Sequence, residues 1–293
     1  MRWRGGRRGG QIEDRRGMRG GRGAAGGGLG IIAIGLIGYF VFGLDPQMLM
    51  QIASEVSGPT MQQEQGQIGT PEDEIAQFVD AIVTSTTDVW TVEFANDGRT
   101  YQPPSPLVLY TGATGTQCGM GQAAIGPFYC PADRRIYIDL SFYDELSQRF
   151  GAPGDFAQAY VLGHEVGHHI QTLLGTSDQV RRAEAAARSE ADANAYSVAL
   201  ELQADCYAGV WAQRVDDVTG GAVALEEGDF EEGRRAAEAI GDDTLQRETQ
   251  GRVVPDSFTH GTSEQRQYWL AQGYRTGDPD ACDTFARLEN GTL

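Results

Sequence analysis

Apolar positions follow three different rhythms along the chain. A run of 21 residues at 24–44 holds no charge, with 29–44 as its apolar centre. At 1.5 Å per residue such a run spans about 31 Å as a helix, the depth of a hydrocarbon core, and predicts one transmembrane anchor. Over 72–87, Ile75, Phe78, Val79, Ile82 and Val83 recur at helical spacing, with Trp90 just beyond. At 135–141 the period shortens to two. Ile136, Ile138 and Leu140 face one way and Tyr137 and Asp139 the other, which predicts a half-buried strand. Residues 101–110 carry three prolines followed by alternating apolar positions and suggest an edge strand. After Phe142 the period is helical: a short helix, a break at Gly151-Ala152-Pro153-Gly154, and a long helix from near Asp155. Further helices are predicted at about 189–215, 229–240 and after Thr262. These elements make an α+β domain, mostly helical, with a small sheet ahead of the long helix.

Charge divides the chain. Residues 1–28 hold eight Arg against Glu13 and Asp14, a balance of +6, and the remainder carries −24. An Arg- and Gly-rich start cannot bury a core and should be disordered. It lacks the interleaved aromatics of an RNA-binding tail, Trp3 excepted. The acidic body should be repelled by phosphate backbones, so no nucleic-acid partner is expected. The expected boundaries are a cytoplasmic tail at 1–23, an anchor at 24–44, a Gln-rich linker at 45–71 and a globular domain at 72–293. The Arg cluster places the tail in the cytoplasm and the domain beyond the membrane. No A-x-A site closes the apolar run, which favours an uncleaved anchor over a signal peptide. Cys118, Cys130, Cys206 and Cys282 form an even set without CxxC spacing. Two disulfides suit an exported domain. Of three possible pairings, Cys118–Cys130 with Cys206–Cys282 is preferred, because it closes one local loop and ties down the C-terminus.

The chemistry concentrates in the long helix, at His164-Glu165-Val166-Gly167-His168-His169. Histidines at i and i+4 lie one turn apart on one face, so His164 and His168 can share a zinc ion. Glu165 is rotated off that face and stands where a base can take a proton from an activated water. Gly167 permits close approach of another helix. Glu201, 33 residues past His168, offers an anionic third ligand, and Asp205 one turn later can accept a hydrogen bond from a ligand histidine. Both acids sit among Val198, Ala199, Leu200, Leu202, Ala204, Tyr207 and Ala208, apolar company for a solvated face. His169 is turned about 100° from His168 and should pack or support rather than ligate.

Together with the Arg/Gly start, the Cys-flanked loop, Ile136-Tyr137-Ile138-Asp139, Gln203-Ala204-Asp205-Cys206-Tyr207-Ala208-Gly209 and His260-Gly261-Thr262-Ser263-Glu264-Gln265-Arg266, these residues resemble the bacterial neutral zinc metallopeptidases. The resemblance implies a zincin-like fold of the gluzincin type, in which H-E-x-x-H pairs with a downstream E-x-x-x-D. It assigns the zinc ligands to His164, His168 and Glu201 and the base to Glu165. Gluzincins often place a His or Tyr donor at the developing oxyanion, and His260 is the candidate here. In zincins the strand before the metal helix aligns substrate, so an extended peptide is expected to pair with 135–141. The expected activity is peptide-bond hydrolysis by a single-pass, membrane-anchored exported protein acting on a peptide or protein substrate. The rivals are a non-proteolytic interaction module of the same fold at the membrane and a metal hydrolase of a non-peptide amide.

Overall fold

The computed structural model describes residues 1–17 and 66–293. The expected anchor at 24–44 and most of the expected linker lie outside the described residues. No helix among the described residues is long and apolar enough to cross a membrane.

A five-stranded sheet and a layer of helices share one core. Strands β1 (Ile12–Asp14), β2 (Gln67–Gly69), β3 (Leu107–Tyr110), β6 (Phe128–Cys130) and β7 (Arg135–Asp139) pair in the order β2-β1-β3-β7-β6. β1, β3 and β7 run parallel, while β2 and β6 are antiparallel edges. A hairpin of β4 (Ala113–Thr116) and β5 (Gly119–Gln122) stands apart from that sheet.

Helix α1 (Glu74–Asn96) is capped by Asp73, whose side chain accepts from the Ala76 amide. It buries Phe78, Val79, Ile82 and Trp90, and extends further than the 72–87 periodicity predicts. After α2 (Ser141–Gln148) comes the central helix α3 (Asp155–Leu174), buried from Phe156 through Gly167 except at Gln158. α4 (Thr176–Ala186) leads into α5 (Glu190–Thr219), capped by Ser189 at one end and left-handed Gly220 at the other. α6 (Asp229–Ala239), α7 (Asp242–Gln250), α8 (Ser263–Thr276) and α9 (Thr284–Glu289) complete the layer. Thr262 and Gln265 form a capping box at the start of α8.

Small residues let the helices that carry the site touch. A Cβ at Gly167 would lie 2.9 Å from the Ala204 Cα, and one at Gly273 would lie 1.9 Å from the Cys206 carbonyl oxygen. α3, α5 and α8 therefore cross at near-backbone contact. The two disulfides are Cys118–Cys130 and Cys206–Cys282, the expected pairing.

Three expectations are corrected. Residues 1–17 are not a disordered tail. Ile12 is fully buried and Trp3 is 7% exposed, packed edge-on against Phe78 at 5.3 Å. Backbone amides of Gly9 and Gly10 donate to Asp80, and arginines of this segment pair with acids: Arg15 with Glu13 at 2.7 Å, Arg16 with Asp14 and Asp73. Arg4, Arg7 and Arg16 reach Glu74, Asp88 and Asp73 of the acidic body, so residues 1–17 dock with their charge matched. Next, 101–110 does not supply an edge. Its prolines precede β3, which lies between β1 and β7 with all four residues buried. Finally, β7 is buried on both faces and is interior to the sheet. Phe128 stacks on Tyr137 at 5.1 Å, and Arg15 spans from Tyr137 to Thr114 of the hairpin, so the face that alternation marks as polar is roofed over. The sheet edge next to α3 is β6.

Candidate metal centre

His164, His168 and Glu201 meet. Their candidate ligand atoms lie within 4.8 Å of one another, and they form such a group although α3 and α5 are far apart in sequence. His164 Nε2 is 3.1 Å from Glu201 Oε2, and His168 Nε2 is 3.5 Å from Oε1. Ligands about 2.05 Å from one ion at a tetrahedral angle stand about 3.3 Å apart, so the donor set fits zinc.

The opposite ring atoms are tied down. His164 Nδ1 is 2.7 Å from Asp205 Oδ1, and His168 Nδ1 is 2.9 Å from Gln171 Oε1. Donation from each Nδ1–H fixes the tautomer that leaves an Nε2 lone pair facing the ionised Glu201 carboxylate, an arrangement that a shared cation would bridge. Gln171 is itself held, donating to the Leu200 carbonyl at 2.6 Å and to Gln203 at 3.2 Å. The spacing His168-x-x-Gln171, i to i+3 on one helix, is the signal that would have revealed it.

Asp205 is fully buried and serves more than His164. It accepts from Tyr160 Oη at 2.6 Å and from Arg266 Nε at 2.9 Å and Nη2 at 3.0 Å. Burial opposes its charge, but Arg266 and His164 outweigh that and hold it down to about 2. Glu201 is held well below the ordinary carboxylate range in the same way: burial raises it, and the charges of His168 and His260 more than reverse the effect.

Glu165 is 7% exposed and rises above its usual range because burial outweighs His168 and His164. Its carboxylate accepts a hydrogen bond from the Tyr129 main chain, which ties the edge strand β6 to α3. A carboxylate shifted toward neutrality is suited to proton transfer.

His260 reaches the site from the turn before α8, close enough to Glu201 to be raised by its charge. That turn is strapped by Asp242, whose Oδ2 accepts from the Thr259, His260 and Gly261 amides at 2.8, 2.7 and 3.1 Å. His260 Nδ1 is engaged by Thr259 Oγ1 at 3.0 Å and lies 3.5 Å from Asp242 Oδ1. His169 points away from the ion position. Its Nε2 donates to the Gln102 carbonyl at 2.6 Å and its Nδ1 faces Tyr129 Oη at 3.1 Å. A second acidic group, Asp155, Asp229 and Glu232, lies at the start of α3 with the Met1 amino group 2.6 Å from Asp155.

Residues 1–285 match the family described as Putative neutral zinc metallopeptidase. The chain belongs to that family. Within reach of this metallopeptidase family, the chain is 48% identical to the Escherichia coli K12 protein named "Uncharacterized protein YpfJ", over 98% of this chain and 99% of the relative. It is 43% identical to the Mycobacterium tuberculosis H37Rv protein named "Uncharacterized protein Rv2575", over 62% of this chain and 63% of the relative. No solved structure gives a significant match. Family membership supports the match between the donor set and zinc.

Proposed function

We propose that this chain hydrolyses peptide bonds with one zinc ion held by His164, His168 and Glu201, in the manner of a gluzincin on a zincin-like fold. The observation that carries the reading is the convergence of two Nε2 atoms on one carboxylate while both Nδ1 atoms are occupied elsewhere. Zinc in such a site lowers the pKa of a coordinated water and polarises a carbonyl. Glu165, buried and raised, takes the proton of the attacking water and passes it to the leaving amine. His260, oriented by Thr259 and Asp242, donates to the oxyanion as it forms. An extended peptide adds to the edge strand β6, beside Glu165, by main-chain pairing. The two disulfides support an exported domain, and the apolar run at 24–44 supports membrane association.

Metal analysis and peptide-library cleavage by the purified protein test this, with Glu165→Gln as control. The expected result is about one zinc per chain in both proteins and cleavage by the wild type alone. A zinc-loaded wild type that cleaves amides but no peptide would move the assignment to a non-peptide substrate. Equal biological activity of the wild type and Glu165→Gln would favour the interaction module.

A further inference from the structure

Arg266 is 3% exposed, and its guanidinium is spent on three helices at once. Nε and Nη2 hold both oxygens of Asp205 on α5. Nη2 also donates to Tyr160 Oη on α3 at 3.1 Å, and Nη1 donates to the Ile240 carbonyl at the end of α6 at 3.2 Å. Fully buried ion pairs are poor devices for stability, because desolvation of both charges offsets their attraction, and well-packed apolar side chains often serve as well. What this pair does that an apolar pair could not is aim a carboxylate. With both oxygens gripped by the guanidinium fork, Asp205 has one orientation left, and Oδ1 in that orientation meets His164 Nδ1 at 2.7 Å. Arg266 also sits on the first turns of α8, six residues after His260. The close crossing at Gly273 fixes the far part of that helix against α5.

Resting on the zinc reading above, we propose that Arg266 is a positioning residue for the metal centre. Through Asp205 it fixes the ring of His164, and through the register of α8 it fixes the turn that carries His260. Tyr160 is its accessory, bridging the guanidinium to the same carboxylate oxygen. The fork geometry, and not the charge alone, performs this task, so a lysine should not replace it.

The test titrates metal-free full-length protein with cobalt(II), reading the visible absorption of the bound ion and its affinity by chelator competition. Arg266→Lys is expected to remain folded, to bind cobalt about 10- to 100-fold more weakly and to show an altered spectrum. Tyr160→Phe should shift both in the same direction by less. Ser85→Ala is the comparator: it removes a buried hydrogen bond to Trp211, 3.1 Å long and outside the Arg266–Asp205–His164 chain of contacts, and should lower thermal stability without touching the spectrum. Arg266→Lys and Tyr160→Phe proteins with wild-type affinity and spectrum would overturn the proposal, as would changes no different from those in Ser85→Ala. A wild type that binds no cobalt or zinc would remove the metal reading itself. Wild-type binding with indifferent variants would remove only the role of Arg266.

Discussion

Asp205 follows Glu201 by one helical turn on α5, and its Oδ1 stands 2.7 Å from His164 Nδ1 while Glu201 Oε2 stands 3.1 Å from Nε2 of the same ring. The two carboxylates grip one imidazole from its two nitrogens. A single turn thus supplies both a candidate ligand and the group that orients its neighbour. Asp205→Ala should weaken zinc binding about 10- to 100-fold, with Asp205→Asn milder because it keeps an acceptor oxygen. Chelator competition measures this, and unchanged affinity in Asp205→Ala would remove Asp205 from the centre.

His260 is strapped into place by contacts that do not involve the paired histidines. His260→Ala should therefore lower kcat on a cleaved peptide by about 10²- to 10³-fold while zinc content stays at the wild-type level. Asp242→Asn, which loosens the strap, should lower kcat less. Loss of zinc from His260→Ala would instead make it a ligand.

Gly167 has no room for a side chain against Ala204. Gly167→Ala should push α5 away from α3 and draw Glu201 off the two Nε2 atoms. Zinc affinity should fall by tenfold or more, alongside a stability loss of about 1–3 kcal/mol from overpacking. Full zinc affinity in a folded Gly167→Ala protein would show that the helix contact does not set the ligand spacing.

Burial pushes the His169 imidazole down to about 4, although its bond to the Gln102 carbonyl works the other way. The ring is neutral in the fold and takes up a proton near pH 6.5 when unfolded. The unfolded chain then binds more protons, so this contribution to stability is complete above about pH 6.5 and is lost as pH falls toward 4. Urea midpoints of the metal-free protein between pH 7 and 4.5 should show that loss, and His169→Gln should have a flatter profile than the wild type. Parallel profiles would contradict it.

Trp3 and Ile12 belong to the core although they begin the chain. Trp3→Ala should cost about 3–5 kcal/mol and Ile12→Ala about 2–5 kcal/mol, read by chemical denaturation. An effect near zero in both would mean that the segment does not dock in solution.

The pairing of His164 with His168 on α3 was legible because its information is local. Side chains one turn apart on a 3.6-residue period share a face whatever surrounds them, and Glu201 with Asp205 repeats that logic on a second helix. The preferred disulfide pairing and most helix starts were legible for similar reasons of proximity and capping. Strand order was not, because neighbours in a sheet are chosen by the path of the whole chain. The alternation at 135–141 marks Ile136 and Ile138 as buried but carries no trace of the hairpin that covers Tyr137. Residues 1–17 misled for another reason. Arg and Gly read as disorder when averaged, yet here Arg2, Arg4, Arg7, Arg15 and Arg16 each meet a particular acid, and glycine amides meet Asp80. Gln171 was missed because an amide three residues past a histidine is a common helical neighbour.

β1 comes from the far side of residues 18–65, and it is paired on both flanks, with β2 and with β3. A hydrogen-bonded ladder cannot be divided by a lipid bilayer. The ladder described here needs residue 17 and residue 66 in one compartment. A cytoplasmic tail with the rest of the protein on the opposite side would require β1 to leave its ladder, exposing the inner edge of β3 and emptying the space that Ile12 fills. Sidedness is thus written into the sheet: labels placed before and after residues 18–65 should be reached by the same impermeant reagent.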